Sequence, residues 1–299
     1  MWRFVLLQLG KLVLWLAGAG LGAAALASLS APRGGWDFLS AFPARVGAYL
    51  HWEFGKSSIE GLPAMQMALD GLPATLELLL YGAVIALAVG VPLAIAFGRG
   101  TVRRATVPII QFVGSAPVFC GGLALAWAAF HLFHWQTAAH GSNRLALEFS
   151  AALLRGDAAA ALAGLHQLAL PALTVGAAGA ASVHLAMRRA AVAADSESYR
   201  QGLKLMGLGT LEIERVYVWP QIFAGLLSAS GEIVLTLISA AAVAEWVFNW
   251  PGDAVLFVKS VALNDWSVAA PVLLVFAALK FSADFAGAIA ARALEEFRT

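Results

Sequence analysis

SESYRQGLKLMGLGTLEIERVYVWP (Ser196–Pro220) lies between long apolar stretches, yet its 25 residues hold six charges and three glycines. The same segment carries Leu203, Leu205 and Met206, apolar side chains with no apolar run around them. The surrounding chain explains why this is unusual. Of 299 residues, 61% are hydrophobic and only 12% charged, against about 45–50% and 25% in soluble domains. A soluble protein of this length could not hide so much apolar surface. The chain is therefore expected to be an all-α integral membrane protein, and the quoted stretch its main polar interruption.

A membrane-spanning helix needs roughly 20 mostly apolar residues. Six segments qualify: Val5–Leu29, Leu76–Phe97, Val107–Phe133, Leu168–Met187, Gln221–Phe248 and Val268–Ala291. They are rich in Leu, Ala, Val and Gly, without the alternation of barrel strands. The first has the basic start and small-residue end of a secretory leader, but apolar residues from position 4 leave no clean polar head, so it reads as an uncleaved helix. Lys and Arg concentrate in short cytoplasmic loops. With the N-terminus inside, the inner segments hold twelve of them and the outer segments six. Both termini, and Ser196–Pro220 with them, are expected in the cytoplasm. Outside lie about 40 residues after the first span, too few for a bulky domain, and the stretch near Trp135–Gln167. The latter contains SNRLALEFSAALL, with Leu145, Phe149 and Leu153 at helical spacing, which fits either a membrane-surface helix or a packing helix.

The cytoplasmic loop reads as helix, glycine turn, helix. Ser198 and Gln201 fit a capping box, and a helix over Tyr199–Met206 would stop at Gly207, suited to a left-handed position. Thr210 can cap a second helix that Pro220 interrupts. Leu203, Leu205 and Met206 would then form an apolar knob, rimmed by Arg200 and Lys204, for a partner's groove.

This loop resembles the EAA loop of permease subunits from binding-protein-dependent ABC importers: Glu-Ala-Ala, three residues, Gly, nine residues, Ile-x-Leu-Pro. Here the places are filled by Gln201-Gly202-Leu203, Gly207 and Tyr217-Val218-Trp219-Pro220; spacing, glycine and proline match, and the triplet departs. FGKSSIEGLPAMQMALDGLPATLEL (Phe54–Leu78), LPALT (Leu170–Thr174) and AEWVFNWPGDAVLFVKSVALNDW (Ala244–Trp266) are similar, in order, to segments of the B-type dipeptide and oligopeptide permeases. Asp284 falls where that family has an acidic residue in its last helix. Lys280 replaces the family's Asn, and the Asp-Pro-Arg tail is missing.

The resemblance implies residues 1–70 as a first helix plus periplasmic segment and 71–299 as an importer transmembrane domain, with a coupling loop at about 189–220. It implies a bacterial inner-membrane location and half of a channel for a small solute, plausibly a peptide. The implied partners are a second, different permease chain, two ATP-binding subunits and a solute-binding protein. ATPase coupling is expected at Tyr199, Gln201, Gly202, Leu203, Met206, Gly207, Tyr217 and Pro220. Nickel or another small molecule stays open as cargo.

Gly55–Ser57 spells GKS, but Leu50 stands where a phosphate loop needs its first glycine, so no nucleotide site and no cofactor is expected. Ionisable residues inside spans are functional candidates by default: Glu232, Glu245 and Asp284 are candidates for the transport path, and each has a structural reading beside it. Lys280 and Asp284, four apart, can neutralise each other. His184 reads as a polar packing residue beside Arg188. His131, His134 and His140 interleave with Phe133 and Trp135 and fit an interfacial aromatic belt better than a metal site. Cys120, the one cysteine, excludes disulfide and thiolate-cage chemistry. The net charge of +1 argues against nucleic acid. An ion-coupled secondary transporter would need repeated halves, and none is visible. A membrane-embedded enzyme lacks a catalytic constellation.

Overall fold

The computed structural model describes residues 2–28, 35–97, 148–194 and 202–296, with isolated helical positions at 124, 127, 128 and 131. Among these residues the only strand-like feature is one isolated bridge, Lys56 to Pro63. The helices are α1 (Trp2–Ser28), α2 (Gly35–Leu50), α3 (Ala64–Phe97), α4 (Glu148–Arg155), α5 (Ala158–Ala194), α6 (Trp219–Ser228), α7 (Ser230–Val247), α8 (Asp253–Ala262) and α9 (Trp266–Glu296). Five of them, α1, α3, α5, α7 and α9, contain stretches long and apolar enough to cross a membrane. The predicted third span, Val107–Phe133, lies outside the described residues apart from four helical positions.

The bundle is organised on α3 and α5, which run parallel. A Cβ placed on Gly82 would lie 2.6 Å from Val175 Cγ1, and one on Gly90 would lie 2.7 Å from the Ala180 carbonyl. The matching positions advance together along both chains, so α3 ends on the opposite face of the bundle from where α5 begins. In lipid no hydrophobic force drives helices together, and small residues let two backbones approach closely enough for dispersion to do so. α7 packs antiparallel to α5, with Gly179 against Leu237 and a 3.1 Å hydrogen bond from Ser182 Oγ to Thr236 Oγ1. Leu78, Leu168, Val175, Val183, Met187, Ile213, Leu237 and Val272 fill the shared core. α1 lies at the edge against α9, where Trp15 stacks on Phe281 at 5.5 Å.

The fourth span, expected over about Leu168–Met187, lies within the 37-residue α5, which alanines on either side continue beyond its most apolar part. One span prediction needs correction. The fifth span, predicted as one helix over Gln221–Phe248, is two. At Ala229 (φ −92°, ψ 6°) the backbone leaves the helix, and α7 restarts one residue later. The break lets α9 come in close: Ser230 Oγ donates to the Ala283 carbonyl at 2.7 Å, and a Cβ on Gly287 would strike Ser230 and the Leu227 carbonyl.

The non-spanning parts sort to two ends. One holds the polar loop and the C-terminal ends of α3, α5 and α9. The other holds α2, residues 51–63, α4 and residues 248–265. At this second end Ser57, the serine of the GKS triplet, donates to Asp265 Oδ2 at 2.6 Å, and the Ser58 N–H donates to the same oxygen at 3.1 Å. The triplet thus ties the segment before α3 to the start of α9.

Candidate functional site

The polar loop is built around a helix stop. Residues 202–205 are helical, and Gly207 has φ +83°. The Gly207 N–H donates to the Lys204 carbonyl at 3.0 Å, and the Leu208 N–H donates to the Leu203 carbonyl at 3.3 Å. These are the two bonds of a Schellman motif, whose accompanying apolar contact joins the residues at the Leu203 and Leu208 positions. Both side chains accordingly join the core. Leu203 is therefore buried, which corrects its assignment to the exposed knob. What remains outside is Leu205 and Met206, 88% and 79% exposed. Met206 closes the helix, so it no longer shares a face with Leu203 although the two are three residues apart. Ser198, Tyr199, Arg200 and Gln201 lie outside the described residues.

The second half of the loop also differs from expectation. Thr210 does not cap; Gly209 occupies that position without a side-chain bond, and Thr210–Glu212 is one α-helical turn. Ile213–Val218 then runs as a π-helix. Pro220 does not end the helix but sits near the start of α6. A proline within an α-helix removes one i→i−4 bond and clashes with that carbonyl. Here the Trp219 N–H reaches back to the Glu214 carbonyl, so the wider register precedes the proline and accommodates its ring. π-bulges of this kind concentrate at functional sites. Tyr217 is half-buried against the core, and Gly202 is partly covered.

At the opposite end lies a buried polar staple. Glu245 Oε1 accepts from Thr75 Oγ1 at 2.8 Å, and Glu245 Oε2 accepts from the Val255 N–H at 2.7 Å. The Asp253 N–H donates to Thr75 Oγ1 at 2.7 Å, and Trp250 Nε1 donates to the Ala74 carbonyl at 3.1 Å. Gly252 gives the room, since a Cβ there would occupy the Glu245 carboxylate. Glu245 is fully buried; it fastens α3 to the turn after α7. Thr75, like Glu77, was missed from the sequence. Glu77 accepts from the Ser150 N–H at 3.0 Å and Ser150 Oγ at 2.7 Å, anchoring the start of α4. Phe149 packs edge-on against Tyr81 at 5.1 Å, so the Phe149 side of α4 is a packing face, whereas Leu153 and Leu154 stay exposed.

Asp253 belongs to the same cluster, fully buried, and among the described residues neither of its carboxylate oxygens has a hydrogen-bond partner. Burial pushes this carboxyl up to about 8, and the nearby Glu245 and Asp70 carboxylates add to the effect. The folded state then keeps a proton that the unfolded chain releases near pH 4. Stability falls as pH rises from about 4 through about 8, at up to about 1.4 kcal/mol per pH unit for one proton. Asp253→Asn, neutral throughout, is expected to flatten that decline when thermal unfolding of the detergent-solubilised protein is followed from pH 5 to 8. Parallel curves for the two proteins would contradict this.

Glu232 stands 72% exposed on α7 and pairs with Arg189, 73% exposed on α5, at 3.3 Å. Asp284 pairs with Lys280 as the spacing predicts, against Gly231. Glu232 and Asp284 thus meet the same turn of α7, at neighbouring residues, while Glu245 lies near its other end. His184 is buried one helical turn from Arg188, and the His131 ring lies 5.1 Å from that of Trp127.

Residues 66–296 match the family described as the binding-protein-dependent transport system inner membrane component. The chain belongs to this family. The match runs from the third residue of α3 to the end of α9, so it takes in both the staple and the loop. The permease is 24% identical over 253 residues to the putrescine export system permease protein SapB of Escherichia coli (strain K12), covering 79% of this chain and 78% of that one. It is 29% identical over 240 residues to the probable D,D-dipeptide transport system permease protein DdpB of the same strain, covering 74% and 68%. To the dipeptide transport system permease protein DppB of that strain it is 24% identical over 238 residues, covering 75% and 70%. It is a transporter subunit of the inner membrane, not an enzyme. A permease of this family works with a partner permease, an ATPase and a solute-binding protein.

Proposed function

We propose that this permease forms one half of an import pathway for short peptides, with both termini and the 202–220 loop in the cytoplasm. A second, different permease chain completes the pathway, and one of two ATPase subunits docks on the loop. The observation that supports this reading best is the Schellman turn. It buries Leu203 to hold the loop against the bundle, and it leaves Leu205 and Met206 outside at the bundle end. Two large apolar side chains in water beside Lys204 are a contact surface awaiting a groove. The π-helix and α6 join that surface to α7 across the break at Ala229, so a push on the loop has a route of short, successive helices into the membrane. Tyr217 and Pro220 lie on this route, and Gly202, with Tyr199 and Gln201 before it, belongs to the docking face. The peptide assignment rests on the names of two relatives; the third names putrescine, a polyamine.

Tagged permease expressed from its native gene neighbourhood and solubilised in mild detergent is expected to bring down an ATPase. The isolated chain should bind no ATP. Stoichiometric ATP binding by the isolated chain, or purification free of any ATPase, would contradict the division of labour. A cysteine at Gly141 should react with an impermeant reagent added outside the cell, and one at Thr210 should not; the reverse pattern would overturn the orientation.

A further inference from the structure

Most exposed side chains on the spans suit lipid. Val13, Leu14 and Trp15 on α1 and Leu80, Val84 and Leu87 on α3 are exposed and apolar. One face of α7 differs. Glu232, Thr236 and Ser239 follow at spacings of four and three, which places them on one side of the helix. Glu232 and Ser239 are exposed and Thr236 is half-buried. Thr236 Oγ1 donates to the Glu232 carbonyl at 3.0 Å, Ser239 Oγ donates to the Leu235 carbonyl at 2.9 Å, and Ser182 of α5 donates to Thr236 Oγ1 at 3.1 Å. Each hydroxyl thus satisfies its proton within the bundle and keeps acceptor capacity toward the open side.

The charges continue the stripe. α5 and α7 are antiparallel, and a helical side chain leans toward its own N-terminus. Arg189 and Glu232 therefore lean toward each other along the bundle axis and meet at 3.3 Å, each more than two-thirds exposed. The pair lies toward the loop end of the bundle, five residues before the end of α5 and at the third residue of α7; Thr236 and Ser239 carry its polarity into the span, where polar side chains turn to a bundle interior or a water-filled cavity. We propose that the face bearing Glu232, Thr236 and Ser239, with Ser182 and Arg189, lines the aqueous solute path, and that the Arg189–Glu232 pair is its zwitterion-selecting constriction. A solute carrying both an ammonium and a carboxylate can replace each partner of the pair as the pair opens: Glu232 takes the ammonium, and Arg189 takes the carboxylate through its planar fork. A dication offers nothing to Arg189, and a neutral solute leaves both charges unpaired. Leu235, exposed on the same side, adds an apolar contact for a solute side chain. The selectivity half of this inference rests on the peptide reading; the lining half does not.

The complete transporter, reconstituted in liposomes, provides the test. Cys120→Ser removes the chain's one cysteine, and Ser239→Cys is then challenged with a charged, membrane-impermeant thiol reagent. Leu14→Cys, on the exposed apolar face of α1, is the control. Ser239→Cys should react, and saturating dipeptide should slow the reaction; Leu14→Cys should stay inert. A Ser239→Cys that is unreactive in the assembled transporter, covered by the second permease or by lipid, overturns the lining. Glu232→Gln should lower dialanine uptake about tenfold with basal ATP hydrolysis retained. The double variant Arg189→Glu/Glu232→Arg restores an ion pair with its polarity reversed along the path, and it should remain impaired. Full uptake in the double variant would make the pair purely structural and overturn the selection. A wild-type transporter that moves putrescine but no dialanine defeats the peptide reading and the zwitterion selection together, and the thiol reaction then decides the lining by itself.

Discussion

Met206→Asp is expected to strip the ATPase from the solubilised transporter while leaving the permease folded. The side chain is 79% exposed at the turn that ends the first loop helix, so a carboxylate costs nothing in the free chain. Once a partner groove closes over it, the charge must be desolvated without a counterion. Apolar anchors at interface centres are worth about 2–4 kcal/mol, or roughly 30- to 1000-fold in affinity. Leu205→Asp should act alike. Leu203→Asp should lose the ATPase too, by another route: its charge would enter the core cluster, and the Schellman turn would open. Thermal unfolding separates them, since Leu203→Asp should lower the unfolding temperature and Met206→Asp should leave it unchanged. Gly207→Val joins the Leu203 class, because a β-branched residue at φ +83° is strained. Retention of the ATPase by Met206→Asp and Leu205→Asp alike would remove this surface from the coupling account.

Glu245→Leu is expected to cost the most stability of any single change at the opposite end. The carboxylate is the acceptor for two donors, the buried Thr75 Oγ1 and the partly buried Val255 N–H. Left without an acceptor, each costs about 1–3 kcal/mol, so about 2–6 kcal/mol is at stake in the joint between α3 and the turn after α7. Glu245→Gln keeps one carbonyl acceptor and should lose clearly less. The check is thermal unfolding in detergent together with the fraction of protein inserted in the membrane. Normal stability with altered solute transport would return Glu245 to the path candidates.

How legible these features were in the sequence depends on what kind of force sets them. The spans behind α1, α3 and α9 show as mostly apolar runs despite a charge or two in each, because partition into lipid depends on composition over about 20 residues. Gly207 was equally plain, since few residues but glycine accept a left-handed backbone. The break at Ala229 carries no such mark: alanine is the best helix former, and α9 packing against Ser230 and Gly231 accompanies the change. The π-helix before Pro220 is a register choice that propensity does not encode; the proline signalled a disturbance without saying which. Leu203 looked exposed because its neighbours are polar, but its place three residues before the turn glycine's predecessor made it the apolar member of the motif. Of the staple, Glu245 was visible as a charge inside a span. Thr75, Glu77 and Asp253 were not singled out, although Glu77 stands in an apolar run and Asp253 follows a glycine at a helix start. Their partners lie 73 to 178 residues away in the chain, so only the fold brings them together.

The central claim is that the loop end of the bundle, through Leu205 and Met206, is where the ATPase docks. A single cysteine at position 206, in the Cys120→Ser background, tests it with a short thiol-to-amine cross-linker applied to the assembled transporter in native membranes. Leu154, 90% exposed at the opposite end, carries the control cysteine. A covalent adduct with the ATPase from position 206, gained or lost when nucleotide is added, and none from position 154, is the predicted result. Adducts from position 154 with none from 206 would place the ATPase at the other end and contradict both the coupling site and the orientation.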